Sequence, residues 1–260
     1  TWSVNTFFQT IVGKKKVQFG EYWYDNGGLP SILVNYLKTH ELNIFEYLDK
    51  DKFLKVSSDD FKNPTALTTI NQNVLMCQTG YLTLRSDLNK TSTVALGIPN
   101  GEIYKALNRL LANNIFKGNT DITDDYGRSL LEVGTVDDII NLFNSALNSV
   151  SYDNYPIVSE SSVQNMLKLY LLGAHQKVLS ELHEAKGRAD LVVNTDNRRI
   201  VFEFKYAKNE TEAKAKLLDA VEQIKTRDYG NIVPNKTELL RIAAVFNADP
   251  KVRAFTEFQE

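Results

Sequence analysis

Apolar and polar positions alternate most legibly in the C-terminal part of the chain. From Ser161 to Gly173, Val163, Leu167 and Tyr170 recur at helical spacing, which predicts a helix. Three short runs of strand length follow, Lys177–Leu182, Ala189–Thr195 and Arg199–Tyr206. Glu212–Lys225 returns to helical spacing, with Leu217, Val221 and Ile224 turned inward. A fourth strand is expected over Leu239–Phe246, which reads Leu-Leu-Arg-Ile-Ala-Ala-Val-Phe. The order α-β-β-β-α-β over residues 151–260 predicts an α/β domain.

The upstream pattern differs. Residues 1–118 are rich in aromatics and leucine and are expected to form a mostly helical domain with a small β element. Trp23–Pro30 reads as a loop, with Pro30 in the first turn of a helix carrying Ile32, Leu33, Tyr36 and Leu37. Leu67–Met76 reads as a helix and Thr79–Leu84 as a short strand. Gly97-Ile98-Pro99-Asn100 punctuates before an amphipathic helix with Ile103, Leu107, Leu110 and Leu111. Residues 119–150 form a helical bridge: Asn119–Asp125 is polar and loop-like, and Thr135 caps a helix with Asp137 and Asp138 in its first turn.

Composition narrows the function classes. The 260 residues suit two domains. Thirty basic and 32 acidic side chains give a net charge of −2. That balance excludes a generally basic nucleic-acid coat but leaves room for a local basic groove. A single cysteine, Cys77, excludes an internal disulfide framework and a cysteine-rich zinc site. No apolar run approaches the ~18 residues of a membrane span, and residues 1–30 lack signal-peptide order, so a cytoplasmic protein with no membrane partner is expected. The chain opens at Thr1 and reads as a piece of something longer.

The chemistry-bearing stretch is Gly187-Arg188-Ala189-Asp190 followed by Val201-Phe202-Glu203-Phe204-Lys205. Strand alternation puts Glu203 and Lys205 on one face and Phe202, Phe204 and Tyr206 on the other. If Asp196-Asn197 forms a two-residue hairpin turn, facing residue numbers sum to 393, and Asp190 lies across from Glu203. Facing Cβ atoms stand ~4.5–5.5 Å apart. Two carboxylates so placed repel, and a hard dication such as Mg²⁺ reverses the penalty. The bland alternative is a charged cluster on a half-exposed sheet.

Asp190, a twelve-residue gap and Glu203-x-Lys205, set within α-β-β-β-α-β, resemble the PD-(D/E)XK nuclease superfamily. Gly-Arg-Ala-Asp-Leu-Val-Val, Val-Phe-Glu-Phe-Lys and Ala220-Val221-Glu222-Gln223-Ile224-Lys225 resemble its subfamily fused to an AAA-ATPase-like domain, as do Trp23–Pro30, Gln78–Thr83 and Gly97–Asn100 upstream. Three departures stand out: Ala189 replaces the usual proline before Asp190, Gln223 and Tyr229 are spaced Gln-x5-Tyr rather than the shorter Gln-x3-Tyr of exonuclease-like relatives, and no Gly-x4-Gly-Lys-Ser/Thr occurs, so the ATPase core is absent. The resemblance implies a restriction-endonuclease-like core with a mixed central sheet. It also implies Mg²⁺- or Mn²⁺-dependent phosphodiester hydrolysis, on DNA in preference to RNA. Asp190, Glu203 and the Phe204 carbonyl would hold metal, with Glu160 as a further ligand. Lys205 would orient water or stabilise charge on the phosphate, and Gln223 would position the site. Arg188, Lys208, Lys214, Lys216, Arg227 and Tyr229 would line a groove for the strand. An ATPase module outside this chain is an implied partner. The rival reading is an inactive nuclease-fold module that binds nucleic acid or a protein. Residues 151–260 hold 16 basic and 16 acidic side chains, which argues against strong nonspecific binding.

Overall fold

The computed structural model describes residues 31–40, 42–62, 66, 68–87, 92–116, 125–174, 177–184, 187–226 and 238–260. The Trp23–Pro30 loop and residues 119–124 of the polar loop lie outside them. The chain divides into two compact units, Thr1–Asn108 and Arg109–Glu260.

In the first unit, helix α1 (Ser31–Thr39) buries Leu33, Tyr36 and Leu37. Strands β1 (Leu54–Ser57), β2 (Thr83–Asp87) and β3 (Thr93–Gly97) form an antiparallel sheet in the order β1-β3-β2. A short helix α2 (Ser58–Lys62) follows β1. The helix expected over Leu67–Met76 is confined to α3 (Gln72–Gln78). Asn71 resets its start: the side chain accepts the Asn73 N–H at 2.9 Å, and before it the Ala66 carbonyl accepts the Thr69 and Ile70 N–H groups. The strand expected from Thr79 begins at Thr83 instead. Thr79 caps α3, with its hydroxyl donating to the Leu75 carbonyl at 2.8 Å, and Gly80 takes φ +87°. Helix α4 (Gly101–Ile115) carries the chain across the division between the units.

In the second unit, α5 (Asp125–Val133) precedes α6 (Val136–Asn148). α6 opens on the expected cap, a reciprocal box between Thr135 and Asp138. α7 (Glu160–Gly173) is capped by Ser159 and Ser162 and buries Val163, Met166, Leu167 and Tyr170. Then come β4 (Lys177–Glu184), β5 (Gly187–Asn194), β6 (Arg198–Ala207), α8 (Glu210–Thr226), β7 (Glu238–Asn247) and β8 (Ala254–Gln259). The sheet order is β4-β5-β6-β7-β8. Only the β6–β7 pair, joined through α8, is parallel, so the sheet is mixed.

Strand β8 was not expected from the pattern, because its six residues hold one well-buried side chain, Phe255. Tertiary bonds complete it. The Asn144 side-chain amide donates to the Phe255 carbonyl at 3.1 Å and its oxygen accepts the Phe255 N–H at 2.7 Å. Those bonds occupy main-chain groups that an edge strand would otherwise leave open.

The two faces of β6 have opposite characters. Phe202 and Phe204 stack at 5.4 Å and extend to Phe143 at 5.3 Å and Phe255 at 5.6 Å. On the other face Val201 packs with Ala189, Val192 and Ile224 of α8, and Ala207 packs with Ala213 and Val245. Glu203 and Lys205 fall between Val201 and Ala207 on the α8 face.

Candidate active site

The hairpin joining β5 and β6 sets the site. Thr195 donates its N–H to the Arg198 carbonyl at 2.9 Å, which closes the Asp196-Asn197 turn. The ladder pairs Asn194 with Arg199 and Leu191 with Phe202, so facing numbers sum to 393. Beyond Leu191 the recorded pairing ends. The Phe204 N–H instead donates to Asp190 Oδ2 at 2.9 Å. In the alternation of this ladder Phe204 would pair with Ala189, so a carboxylate has taken the place of a main-chain acceptor. The strands part where Asp190 and Glu203 sit.

Glu203 is the most constrained member. Its side chain is 1 % exposed. Oε1 accepts the Lys205 ammonium at 2.7 Å, while Oε2 is buried with no hydrogen-bond partner. Burial, then the charge of Asp190, pushes its pKa up to about 7 against the pull of Lys205. Asp190 is raised too, by burial first and by Glu160; the Phe204 N–H, Lys205 and a hydrogen bond from Gln164 oppose the rise. Burial alone would lower Lys205, but its bond to Glu203 and the charges of Glu203, Glu160 and Asp190 outweigh burial and hold it above the ordinary lysine value. Glu160, in the first turn of α7, stands 3.7 Å from the same ammonium and is 40 % exposed. Three acids thus share one lysine, an arrangement with negative charge in excess.

The expected residues fare differently. Asp190, Glu203, Lys205 and Glu160 come together. Gln223 lies half-buried between the inward Ala220 and Ile224 of α8 and does not figure in the described contacts of the acids or the lysine. Lys214 is ion-paired to Glu210, and Lys216 to Glu212 at 2.8 Å. Lys216 also donates to the Tyr206 carbonyl at 2.6 Å. Lys208 is exposed, and its N–H donates to Glu212. Arg227, Tyr229 and the Arg188 side chain lie outside the described residues. Sequence reading missed Gln164. A signal was present: Glu160, Gln164, Leu167 and Leu171 follow at i, i+4, i+7 and i+11, a packing stripe that turns polar at one end.

The donor set suits a hard dication. Both strand carboxylates offer oxygen, and the orphaned Oε2 of Glu203 is a buried acceptor that calls for a partner. Among the described residues, no group of three or more His, Cys, Asp or Glu side chains is close enough to hold a metal. Asp190 and Glu203 are the two carboxylates on the paired strands, and Glu160 stands within ion-pair range of Lys205.

A mixed sheet thus carries two acids and a lysine where two of its strands part. A family model described as the PD-(D/E)XK nuclease superfamily matches residues 158–256, which include Glu160, Gln164, Asp190, Glu203 and Lys205. No curated protein matches the chain. No helix among the described residues is long and apolar enough to cross a membrane.

Proposed function

We propose that the chain hydrolyses phosphodiester bonds of nucleic acid, DNA in preference to RNA, with Mg²⁺ or Mn²⁺ held by Asp190 and Glu203 and the Phe204 carbonyl. The observation that carries this reading is the buried, unpartnered Oε2 of Glu203 on the strand beside Asp190. A dication held there would polarise the phosphate and lower the pKa of a water molecule.

The chain's own groups do the rest. Asp190 is held by the Phe204 N–H, so its orientation is fixed before any ligand arrives. Lys205 keeps its proton and presents an ammonium where charge develops on the phosphate. Glu160 holds that ammonium from the second side, and a direct contact between Glu160 and the ion belongs to the same proposal. Gln223 positions the site from α8. Arg188, Lys208, Lys214, Lys216, Arg227 and Tyr229 contact the strand. The cytoplasm is the proposed compartment, and an ATPase module outside this chain the proposed partner, on the sequence resemblance alone.

The pairing of Lys214 and Lys216 with acids favours a second reading, a nuclease-fold module without cleavage. Incubation with linear duplex, circular duplex, single-stranded DNA and RNA separates the two. Cleavage of DNA is expected with Mg²⁺ or Mn²⁺ and none with EDTA. Intact substrates in both metals, with the ion bound, would favour the second reading.

A further inference from the structure

Among the described residues, Arg253 is the one non-glycine with a positive φ, at +45°. A left-handed backbone is costly for a long side chain. The turn before β8 enforces it. The Asp249 carbonyl accepts the Val252 N–H at 2.8 Å and the Arg253 N–H at 3.0 Å, and Asp249 Oδ1 accepts the Lys251 N–H at 2.9 Å. The Arg253 guanidinium lies over the Tyr152 ring, 3.7 Å from its centroid. Tyr152 is held in turn, its hydroxyl donating to the Ile157 carbonyl at 2.8 Å. A ring satisfies the flat face of a guanidinium but none of its in-plane N–H donors. Arg253 Nε is buried with no hydrogen-bond partner, and among the described residues the guanidinium makes no ion pair. The residue as a whole is half-buried, so part of it meets solvent.

This cation stands at the same end of the sheet as Lys205. Ala254, next after Arg253, pairs with Asn247, and Asn247 pairs with Ala207, two residues beyond Lys205. A strand spacing of ~4.8 Å and a rise of ~3.3 Å per residue put the two backbones roughly 14 Å apart. A duplex strand carries one phosphate per ~3.4 Å of helix axis, so that span is a few nucleotides. One segment touches both groups: Tyr152 carries Arg253, and Glu160 stands 3.7 Å from the Lys205 ammonium. Val158 between them is 63 % exposed, so the segment runs along the surface there. We propose that Arg253, held flat on Tyr152, binds a backbone phosphate of the nucleic-acid substrate a few nucleotides from the bond that is cut. A planar, permanently charged fork whose donors the protein leaves unpaired matches the oxygens of a phosphate. The inference rests on the nucleic-acid reading above and adds to it a strand contact outside the Asp190–Glu203–Lys205 site.

The test is fluorescence anisotropy of the whole chain with a labelled linear DNA duplex in EDTA, repeated over a series of salt concentrations, with melting temperature measured in parallel. Each phosphate neutralised adds about 0.9 to the slope of log affinity against log salt. Asparagine tolerates a left-handed backbone, so Arg253→Asn removes the cation and keeps the turn. It is expected to weaken binding several-fold and to lower the slope by about 0.9, equally for unrelated sequences. Arg253→Gly, which suits the turn still better, is expected to do the same and serves if the asparagine variant does not fold. Arg253→Lys is expected to keep the slope, because the slope counts charge rather than shape. A purely structural arginine would change the melting temperature and leave the slope alone. The wild-type slope in a folded Arg253→Asn or Arg253→Gly chain overturns the inference and spares the nuclease reading, which metal-dependent cleavage by the wild-type chain decides separately. A wild-type chain that binds no DNA overturns both.

Discussion

Replacing Lys205 with methionine is expected to lower metal-dependent cleavage by about 10²–10³-fold, the loss typical of removing one donor aimed at developing charge. The substitution keeps the length of the apolar stem and removes the ammonium. Mn²⁺ affinity should not fall with activity. In the wild-type chain the ammonium occupies Glu203 Oε1 at 2.7 Å, so its removal frees an oxygen and leaves the excess negative charge unopposed. Binding as tight as wild type, or tighter, is the predicted companion to the lost rate. The measurement belongs in the presence of Mn²⁺, because breaking a buried pair without a replacement cation costs about 3–5 kcal/mol. Unchanged turnover in Lys205→Met would remove the lysine from the mechanism.

The second large effect is on stability. Glu203→Gln should abolish cleavage and yet stabilise the metal-free fold above neutral pH. Glu203 titrates near 4.5 when unfolded and at about 7 when folded. Between those values the native state binds more protons than the unfolded state, so stability falls as pH rises. The penalty is absent below about 4.5 and complete above about 7. Its size is on the order of 3 kcal/mol, from the free energy of one pKa unit. Asp190, also raised, acts in the same direction. Lys205 acts outside this window: its raised value contributes stability that is present below the ordinary lysine pKa and lost only in more alkaline solution. Urea unfolding in EDTA from about pH 5 to pH 8 should show a falling midpoint in wild type and a flatter one in Glu203→Gln. With Mn²⁺ at about 100 times its Kd, wild type should regain roughly 2.7 kcal/mol and the variant much less. A variant less stable than wild type at pH 8 in EDTA would contradict the charge balance described for the site. Function then accounts for a side chain that burial alone would disfavour.

Much of this was legible in the chain because local rules agreed with tertiary ones. The strand alternation of Phe202, Glu203, Phe204 and Lys205 sorted the charges from the aromatics, and the aromatic stack is found where the alternation put it. The Asp196-Asn197 turn fixed the register from Asn194 opposite Arg199 to Leu191 opposite Phe202, one pair short of Asp190 and Glu203. Thr135 and Asp138 announced α6 through a cap that needs only four residues. The less legible features depend on partners distant in sequence. β8 is completed by Asn144, 111 residues before Phe255. The departure of β5 from β6 has no sequence mark, since it consists of a carboxylate replacing a carbonyl as the acceptor for Phe204.

The most direct test is diffraction from crystals soaked in Mn²⁺, recorded for anomalous scattering. The account predicts a manganese peak bonded to Glu203 Oε2 and to the Asp190 carboxylate, at the roughly 2.0–2.6 Å of hard-cation–oxygen contacts. Manganese bound only elsewhere, with Glu203 Oε2 still lacking a cation, would contradict it.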